Sequence, residues 1–333
     1  MEDHVKALLY AIGYLGITIP HEQIVIRDRW CALYSSHFSS AKFICPFAGQ
    51  KMAWEKAGHI RVKDEDGPAV FLLHCPQQSL EADYEIATAL SALKAGGLLM
   101  VVADNQAGGK SLSKKLAAFG CPVQDLSKHK CRVVWTSAPE QASPDKIQAA
   151  IKAGDIHTRN VDGLYTQAGV FSWEHRDKGT EILLQHLPQS LSGHGADFGC
   201  GIGEISRFIL ATCPHITTLT CIDHDSRAVL CCMKNTSAYQ DKVSVLCQDI
   251  PQQTSLKGLN FIVMNPPFHN GKIEDKTLGL SFIIKAANAL NTGGTLYMVA
   301  NSHLPYEDTL SAHFSQITLL AKENGFKIFA AVR

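Results

Sequence analysis

The sequence has no net charge, with 31 Lys and Arg against 31 Asp and Glu. That argues against a chain that grips naked nucleic acid mainly by neutralising phosphates, although a local basic patch remains compatible with it. No apolar run reaches the roughly 18 residues that a membrane span needs. The opening Met1-Glu2-Asp3-His4 is acidic and polar, unlike a secretion signal. A cytoplasmic protein without membrane contact is expected. Cysteine pairing is also missing. The eleven cysteines are scattered, none forms a CxxC pair, and Cys231 and Cys232 are adjacent. Neither a zinc site nor a disulfide framework is indicated, so reduced thiols are expected. His157, His175 and His194 show no ligand spacing and should lie at the surface, and no metal is expected.

What is present is a globular composition, 46% hydrophobic and 19% charged, in 333 residues, enough for two domains. Two stretches match at a constant offset of 197. Ala89–Ala103 and Ala286–Ala300 each read as a helix, a Gly-Gly stop and an apolar strand. Before them lie Val70–Leu73, ending at His74-Cys75-Pro76-Gln77, and Phe261–Met264, ending at Asn265-Pro266-Pro267-Phe268. The pattern predicts a duplicated α/β domain. The polar, proline-containing stretch Thr136–Pro144 reads as the linker, dividing the chain into 1–140 and 141–333. The first copy has no glycine loop, so it should bind no cofactor and serve the substrate surface or stability.

In the second copy, Gly195–Phe198, Leu219–Asp223, Val243–Leu246, Phe261–Met264 and Leu296–Ala300 read as strands. Thr180–His186, Ile205–Thr212, Arg227–Asn235 and Leu278–Leu290 read as helices. Ile317–Ala321 and Phe326–Val332 flank Asn324-Gly325, the signature of a hairpin turn. A mostly parallel sheet with one antiparallel hairpin is expected.

Asp197-x-Gly199-Cys200-Gly201-x-Gly203 follows a strand and opens a helix. Glycines there let backbone amides approach a ligand. Glu204 stands where a dinucleotide fingerprint needs glycine, and a pyrophosphate would be repelled by it. A phosphate-free cationic cofactor, S-adenosylmethionine, fits better. Asp223 lies 223 − 203 = 20 residues beyond the last loop glycine, the spacing for ribose hydroxyls. Asp249 is expected to end the next strand, where it could accept from an adenine amine. Asp223 could instead cap the following helix, a role open to Asp225 as well. Cys200 should pack rather than react.

Asn265-Pro266-Pro267-Phe268 leaves the sheet in one rigid shape, because proline fixes φ and removes donors. The Asn265 amide oxygen and the Pro266 carbonyl form a pair of acceptors for a planar NH2 group, and Phe268 offers a stacking face. His269 is expected either to contact the base or to cap the loop. Such a site suits methyl transfer to an exocyclic or amide nitrogen, whose lone pair must be freed from conjugation.

Together with Gly169-Val170-Phe171-Ser172, Asp177-x-Gly179-Thr180 and Val299-Ala300-Asn301-Ser302-His303-Leu304-Pro305-Tyr306, these motifs resemble the ribosomal RNA guanine-N2 methyltransferases. The resemblance covers the C-terminal half throughout and the N-terminal half more thinly, where Gln77 replaces a frequent lysine. It implies two tandem Rossmann-like methyltransferase domains from a duplication, the N-terminal one degenerate. It implies Asp197, Gly199, Cys200, Gly201 and Gly203 at the methionine part of the cofactor, Asp223 at the ribose and Asp249 at the adenine. Asn265–Phe268 would hold the guanine, while Asp177 and Thr180 close over the cofactor. Leu304-Pro305-Tyr306 favours the type that acts on 16S ribosomal RNA, within the small subunit, and a monomer is expected. The motifs leave open large-subunit RNA, adenine N6, a protein glutamine amide, and a non-enzymatic ribosome-assembly factor.

Overall fold

The structure is a computed structural model that describes residues 2–18, 20–62, 67–159, 161–267, 269–270, 273–274 and 276–333. For residues 269–270, 273–274 and 276 it describes the backbone alone. Contacts divide the chain into two compact units: Met1–Pro46 with Gln50–Asp155, and Phe47–Gly49 with Ile156–Arg333. The division falls after Asp155 rather than in Thr136–Pro144. The helix Pro144–Gly154 belongs to the first unit because Ile147 is buried there and Gly154 lies flat on Tyr84, where a Cβ would come within 2.4 Å of the tyrosine's own.

The first unit holds β1 (Ile24–Arg27), β2 (Lys42–Ile44), β3 (Ile60–Arg61), β4 (Val70–His74), β5 (Leu98–Asp104), β6 (Gln124–Lys128) and β7 (Cys131–Thr136). In the second, β8 (His157–Thr158) and β9 (Tyr165–Thr166) form a short ribbon. The main strands are β10 (Gly193–Phe198), β11 (Ile216–Asp223), β12 (Val243–Cys247) and β13 (Leu259–Met264). A second ribbon, β14 (His269–Asn270) with β15 (Ile273–Glu274), precedes β16 (Leu290–Asn301), β17 (Gln316–Glu323) and β18 (Phe326–Val332).

The sheets are ordered β3-β2-β1-β4-β5-β7-β6 and β12-β11-β10-β13-β16-β18-β17. The order, the parallel core and the antiparallel edge hairpin are the same in both. The register matches as well. Arg27 pairs with Leu73 in the first sheet as Phe198 pairs with Met264 in the second. The repeat is a duplication of a whole doubly wound α/β fold, open to ligands where the strand order reverses.

Strands buried on both faces must be apolar at every position, which is why Phe261–Met264 reads as an unbroken run. Phe261 and Val263 enter the core layer with Ile205, Ile209 and Leu219. Ile262 and Met264, one pleat away, enter the opposite layer with Ile283, Ala286 and Met298. The helix Glu204–Thr212 buries Ile205, Ile209 and Leu210 on one face. Each such side chain stabilises the fold by about 1.5–3 kcal/mol when fully buried. β16 begins at Leu290, earlier than expected, because Leu290 already pairs with Leu259 before the ladder shifts register at Leu259/Phe261. Asn324 and Gly325 turn the last hairpin at φ 50° and 82°, the left-handed pair that a two-residue turn requires.

Candidate functional site

The carboxyl ends of β10, β11 and β13 lie side by side, since β10 pairs with both neighbours. Gly199, Gly201 and Gly203 follow β10 with φ of 74°, 52° and 83°. They serve different ends. A Cβ at Gly201 would meet none of the described residues within 4 Å, so that side of the backbone is open. A Cβ at Gly203 would fall 2.7 Å from Cys232 Sγ, so that glycine lets the helix Glu204–Thr212 sit against the helix Ser226–Asn235. Cys200 is 6% exposed and packs in the core, as expected of it.

Asp223 braces this loop. Its Oδ2 accepts from the Gly201 N–H at 2.9 Å and its Oδ1 from the Asp225 N–H at 2.9 Å. The cap of the next helix is Asp225, whose Oδ1 accepts from the Arg227 N–H at 2.9 Å. Asp223 is therefore not spent on capping, and burial pushes its carboxyl above the usual range.

Asp197 is fully buried, and Ser206 Oγ donates to its Oδ2 at 2.6 Å. Among the described residues its Oδ1 has no hydrogen-bond partner. Burial pushes this carboxyl up to about 7; the Ser206 bond works against that rise and the nearby Asp223 charge adds to it. An orphaned buried acceptor costs free energy unless a donor arrives. A cationic ligand amine meets that need, and the backbone at Gly201 is open to the approach of a ligand. The donor set fits S-adenosylmethionine.

Asn265, the first residue past β13, has the most constrained side chain of the site. Its Nδ2 donates to Asp177 Oδ2 at 2.8 Å and to Thr180 Oγ1 at 2.9 Å. Both amide hydrogens are thereby used, which fixes which end of the amide is oxygen. Asp177 Oδ2 also accepts from the Thr180 N–H at 2.8 Å, capping the helix Lys178–His186. One carboxylate thus starts a helix and orients the acceptor. The family resemblance implies Asp177 and Thr180 as a cover for the cofactor; in the structure both hold the Asn265 amide. Pro266 is buried and Pro267 half-buried. Phe268 and the side chain of His269 lie outside the described residues.

Two expectations are corrected. β12 stops at Cys247, so Asp249 does not end a strand. It caps the helix Ile250–Gln253, accepting from the Gln252 N–H at 3.3 Å and from Gln252 Nε2 at 3.2 Å. Glu204 adds no free negative charge at the loop either. Arg159 Nη2 donates to its Oε2 at 2.8 Å, and Arg176 pairs with its Oε1. Arg159 is 2% exposed and also binds Asp162, Ser172 O and His175 O. It pins the segment 159–176 to the helix that follows the glycine loop. No pattern in the sequence marks this arginine, because its partners are distant and unlike in type. Asp177, by contrast, stands three residues before Thr180 at the head of an apolar helix, the spacing of an N-cap signal.

A glycine loop, two acids at neighbouring strand ends and an oriented Asn-Pro-Pro acceptor, all on one edge of a doubly wound sheet, define a class I methyltransferase that uses S-adenosylmethionine. The chain matches the methyltransferase small domain family over residues 163–330 and its N-terminal counterpart over 48–153. Ribosomal RNA small subunit methyltransferase C of Shewanella pealeana is 30% identical over 327 residues, 97% of this chain and 93% of the relative. That of Shewanella sp. strain MR-4 is 36% identical over 282 residues, 82% and 79% of the two chains. A solved Thermus thermophilus structure, described as a 16S rRNA N2 G1207 methyltransferase in complex with AdoMet and guanosine, superimposes with a TM-score of 0.78. It is 20% identical and covers 96% of this chain and 90% of that one, so it shows the shared fold. The chain belongs to the ribosomal RNA small subunit methyltransferase C family.

Proposed function

We propose that this enzyme transfers a methyl group from S-adenosylmethionine to the exocyclic N2 of a guanine in 16S ribosomal RNA. The observation that carries the reading is the double tether on the Asn265 amide. With both hydrogens committed to Asp177 and Thr180, Asn265 presents only its oxygen, an acceptor matched to an NH2 group. The names of the family's relatives supply the RNA and the subunit.

When bound, S-adenosylmethionine supplies an electrophilic methyl on a cationic sulfur. The residues of this chain do the rest. Asn265 Oδ1 and the Pro266 carbonyl accept from the two N2 hydrogens and hold that nitrogen in line. Accepting from those hydrogens draws the N2 lone pair out of conjugation as the new N–C bond forms and the S–C bond breaks. The extra N2 proton then leaves to water, and the sulfur departs neutral. The loop Gly199, Cys200, Gly201 and Gly203 and the Asp197 carboxylate face the methionine part, Asp223 faces the ribose, and Phe268 and His269 face the base. Asp249 would serve the adenine only if its cap were shared.

The first copy lacks the loop and the Asn-Pro-Pro turn, and in this reading it binds no cofactor and serves the substrate or stability. The enzyme acts as a monomer on RNA within the small subunit. That substrate resides in the cytoplasm; among the described residues no helix is long and apolar enough to cross a membrane. The test is mass mapping of methylated nucleosides in ribosomal RNA from cells with and without the protein. One N2-methylguanosine should vanish from 16S RNA. Loss instead of a 23S mark or of N6-methyladenine, or an unchanged map as a protein glutamine substrate would give, would refute the assignment.

A further inference from the structure

The matched registers show what replaced the catalytic position in the first sheet. Arg27 and Leu73 pair as Phe198 and Met264 do. Asp28 therefore stands where Gly199 opens the glycine loop, and His74 stands where Asn265 holds the acceptor. His4, from the helix Asp3–Tyr14, reaches the same point. His4 Nε2 lies 2.8 Å from Asp28 Oδ2, and His74 Nδ1 lies 3.0 Å from Asp28 Oδ1. The two imidazoles stack at 4.0 Å between centroids, 13° from parallel.

We propose that the first unit carries a divalent transition-metal site of zinc type, with His4 Nε2, the Asp28 carboxylate and His74 Nδ1 as its three protein ligands. Among the described residues this is the one group of three such side chains whose ligand atoms all lie within 4.8 Å of one another. Two imidazole nitrogens and a carboxylate oxygen form the borderline donor set that zinc and its neighbours favour over magnesium or calcium. Zinc bonds of about 2.0–2.2 Å in a tetrahedron set ligand atoms about 3.3 Å apart, so each His–Asp28 pair needs to open by a few tenths of an ångström and the two rings must turn out of their stack to aim at one ion. The carboxylate is already aimed. Its side chain is 3% exposed, Tyr34 Oη donates to Oδ2 at 2.8 Å, and the Arg29 N–H donates to Oδ1 at 2.7 Å. Such outer partners orient ligands in known metal sites. The His74 side chain, 37% exposed, leaves an entry path and a fourth position for water. The ligands come from a helix and two strand ends far apart in sequence, so no motif spacing announces them.

The same contacts would also serve as a hydrogen-bonded latch, and the experiment separates the two. The full-length protein is stripped with a chelator and titrated with zinc against a chromophoric competitor, then with cobalt to read its visible d–d bands. The expected result is one ion per chain at micromolar concentration or tighter, with cobalt bands typical of nitrogen and oxygen ligands. Zinc should raise the melting temperature of the wild type and not that of His4→Ala or His74→Ala, each of which should lose at least about tenfold in affinity. His74→Gln, which keeps a hydrogen bond to Asp28, guards against simple misfolding and should also lose zinc. Absence of stoichiometric binding would overturn the proposal. So would undiminished binding in the His4→Ala, His74→Ala double variant, which would place the ion on the cysteine thiols.

Discussion

Asp177 makes two bonds with one oxygen, and they can be separated by substitution. Its Oδ2 accepts from the Thr180 N–H, which caps a helix, and from Asn265 Nδ2, which orients the acceptor amide. Serine at this position still caps, because its hydroxyl reaches its own helix, but it is too short to hold Asn265. Asp177→Ser should therefore keep the folding stability of the wild type within a few tenths of a kcal/mol. Asp177→Ala should lose about 1 kcal/mol. Both should release the Asn265 amide from a hydrogen bond to a charged group, which is worth roughly 1.5–3 kcal/mol. Thr180 Oγ1 alone then holds the amide, since a hydroxyl accepts as readily as it donates. If the lost orientation is felt in the transition state, the rate falls roughly 10- to 150-fold, at 1.36 kcal/mol per tenfold. The assay is single-turnover methyl transfer to small-subunit RNA at saturating cofactor, with melting curves and cofactor titration alongside. A wild-type rate in Asp177→Ser would refute the tether argument. Loss of cofactor affinity alone would return Asp177 to the cofactor cover that the family resemblance implies.

Asn265→Ala should slow single turnover by about 2–4 kcal/mol, the worth of one preorganised polar group, while cofactor titration shows near-normal affinity; a normal rate would make the Asn-Pro-Pro turn structural. Asp223→Ala removes a ribose acceptor and the brace on the Gly201 amide, so the cofactor dissociation constant should rise roughly 10- to 100-fold by calorimetry, and an unchanged constant refutes the role. Asp197 gives a pH signature. Its folded pKa of about 7 lies above the ordinary 3.8, so its stabilising contribution to the cofactor-free protein is complete below about 4 and lost as pH rises through 7. A bound ammonium offsets that loss, so cofactor affinity should climb between pH 6 and 8 in the wild type, by about a factor of ten at most per unit, and stay level in Asp197→Asn. Arg159→Ala breaks a buried ion pair with Glu204 and should cost about 3–5 kcal/mol in urea denaturation, toward the lower end because Arg176 remains; a cost under about 1 kcal/mol would show that Arg176 suffices.

Local chemistry makes much of this protein legible in its amino-acid order. The duplication is visible because a helix, a Gly-Gly stop and an apolar strand must be spelled in nearly the same letters each time. The glycine loop and the Asn-Pro-Pro turn are visible because unusual backbone conformations admit few residue types. Asp223 is found by spacing, since a strand, a loop and a helix consume a set length of chain. What stays hidden is whatever depends on partners far apart in sequence. Asp249 falls two residues past its strand, because a strand's end is set by its neighbour's pairing and not by its own letters. Glu204 looks like a free charge until two arginines from 159–176 neutralise it. Asp177 and Thr180 stand out in the sequence, yet their hold on Asn265, 88 and 85 residues away, is a tertiary fact. His4, Asp28 and His74 carry no signal at all. The sequence by itself determined the class of fold and the cofactor, because these rest on short-range backbone constraints. Only the tertiary structure decided which carboxylates are free to act, because a side chain's charge and direction belong to the partners that folding delivers to it.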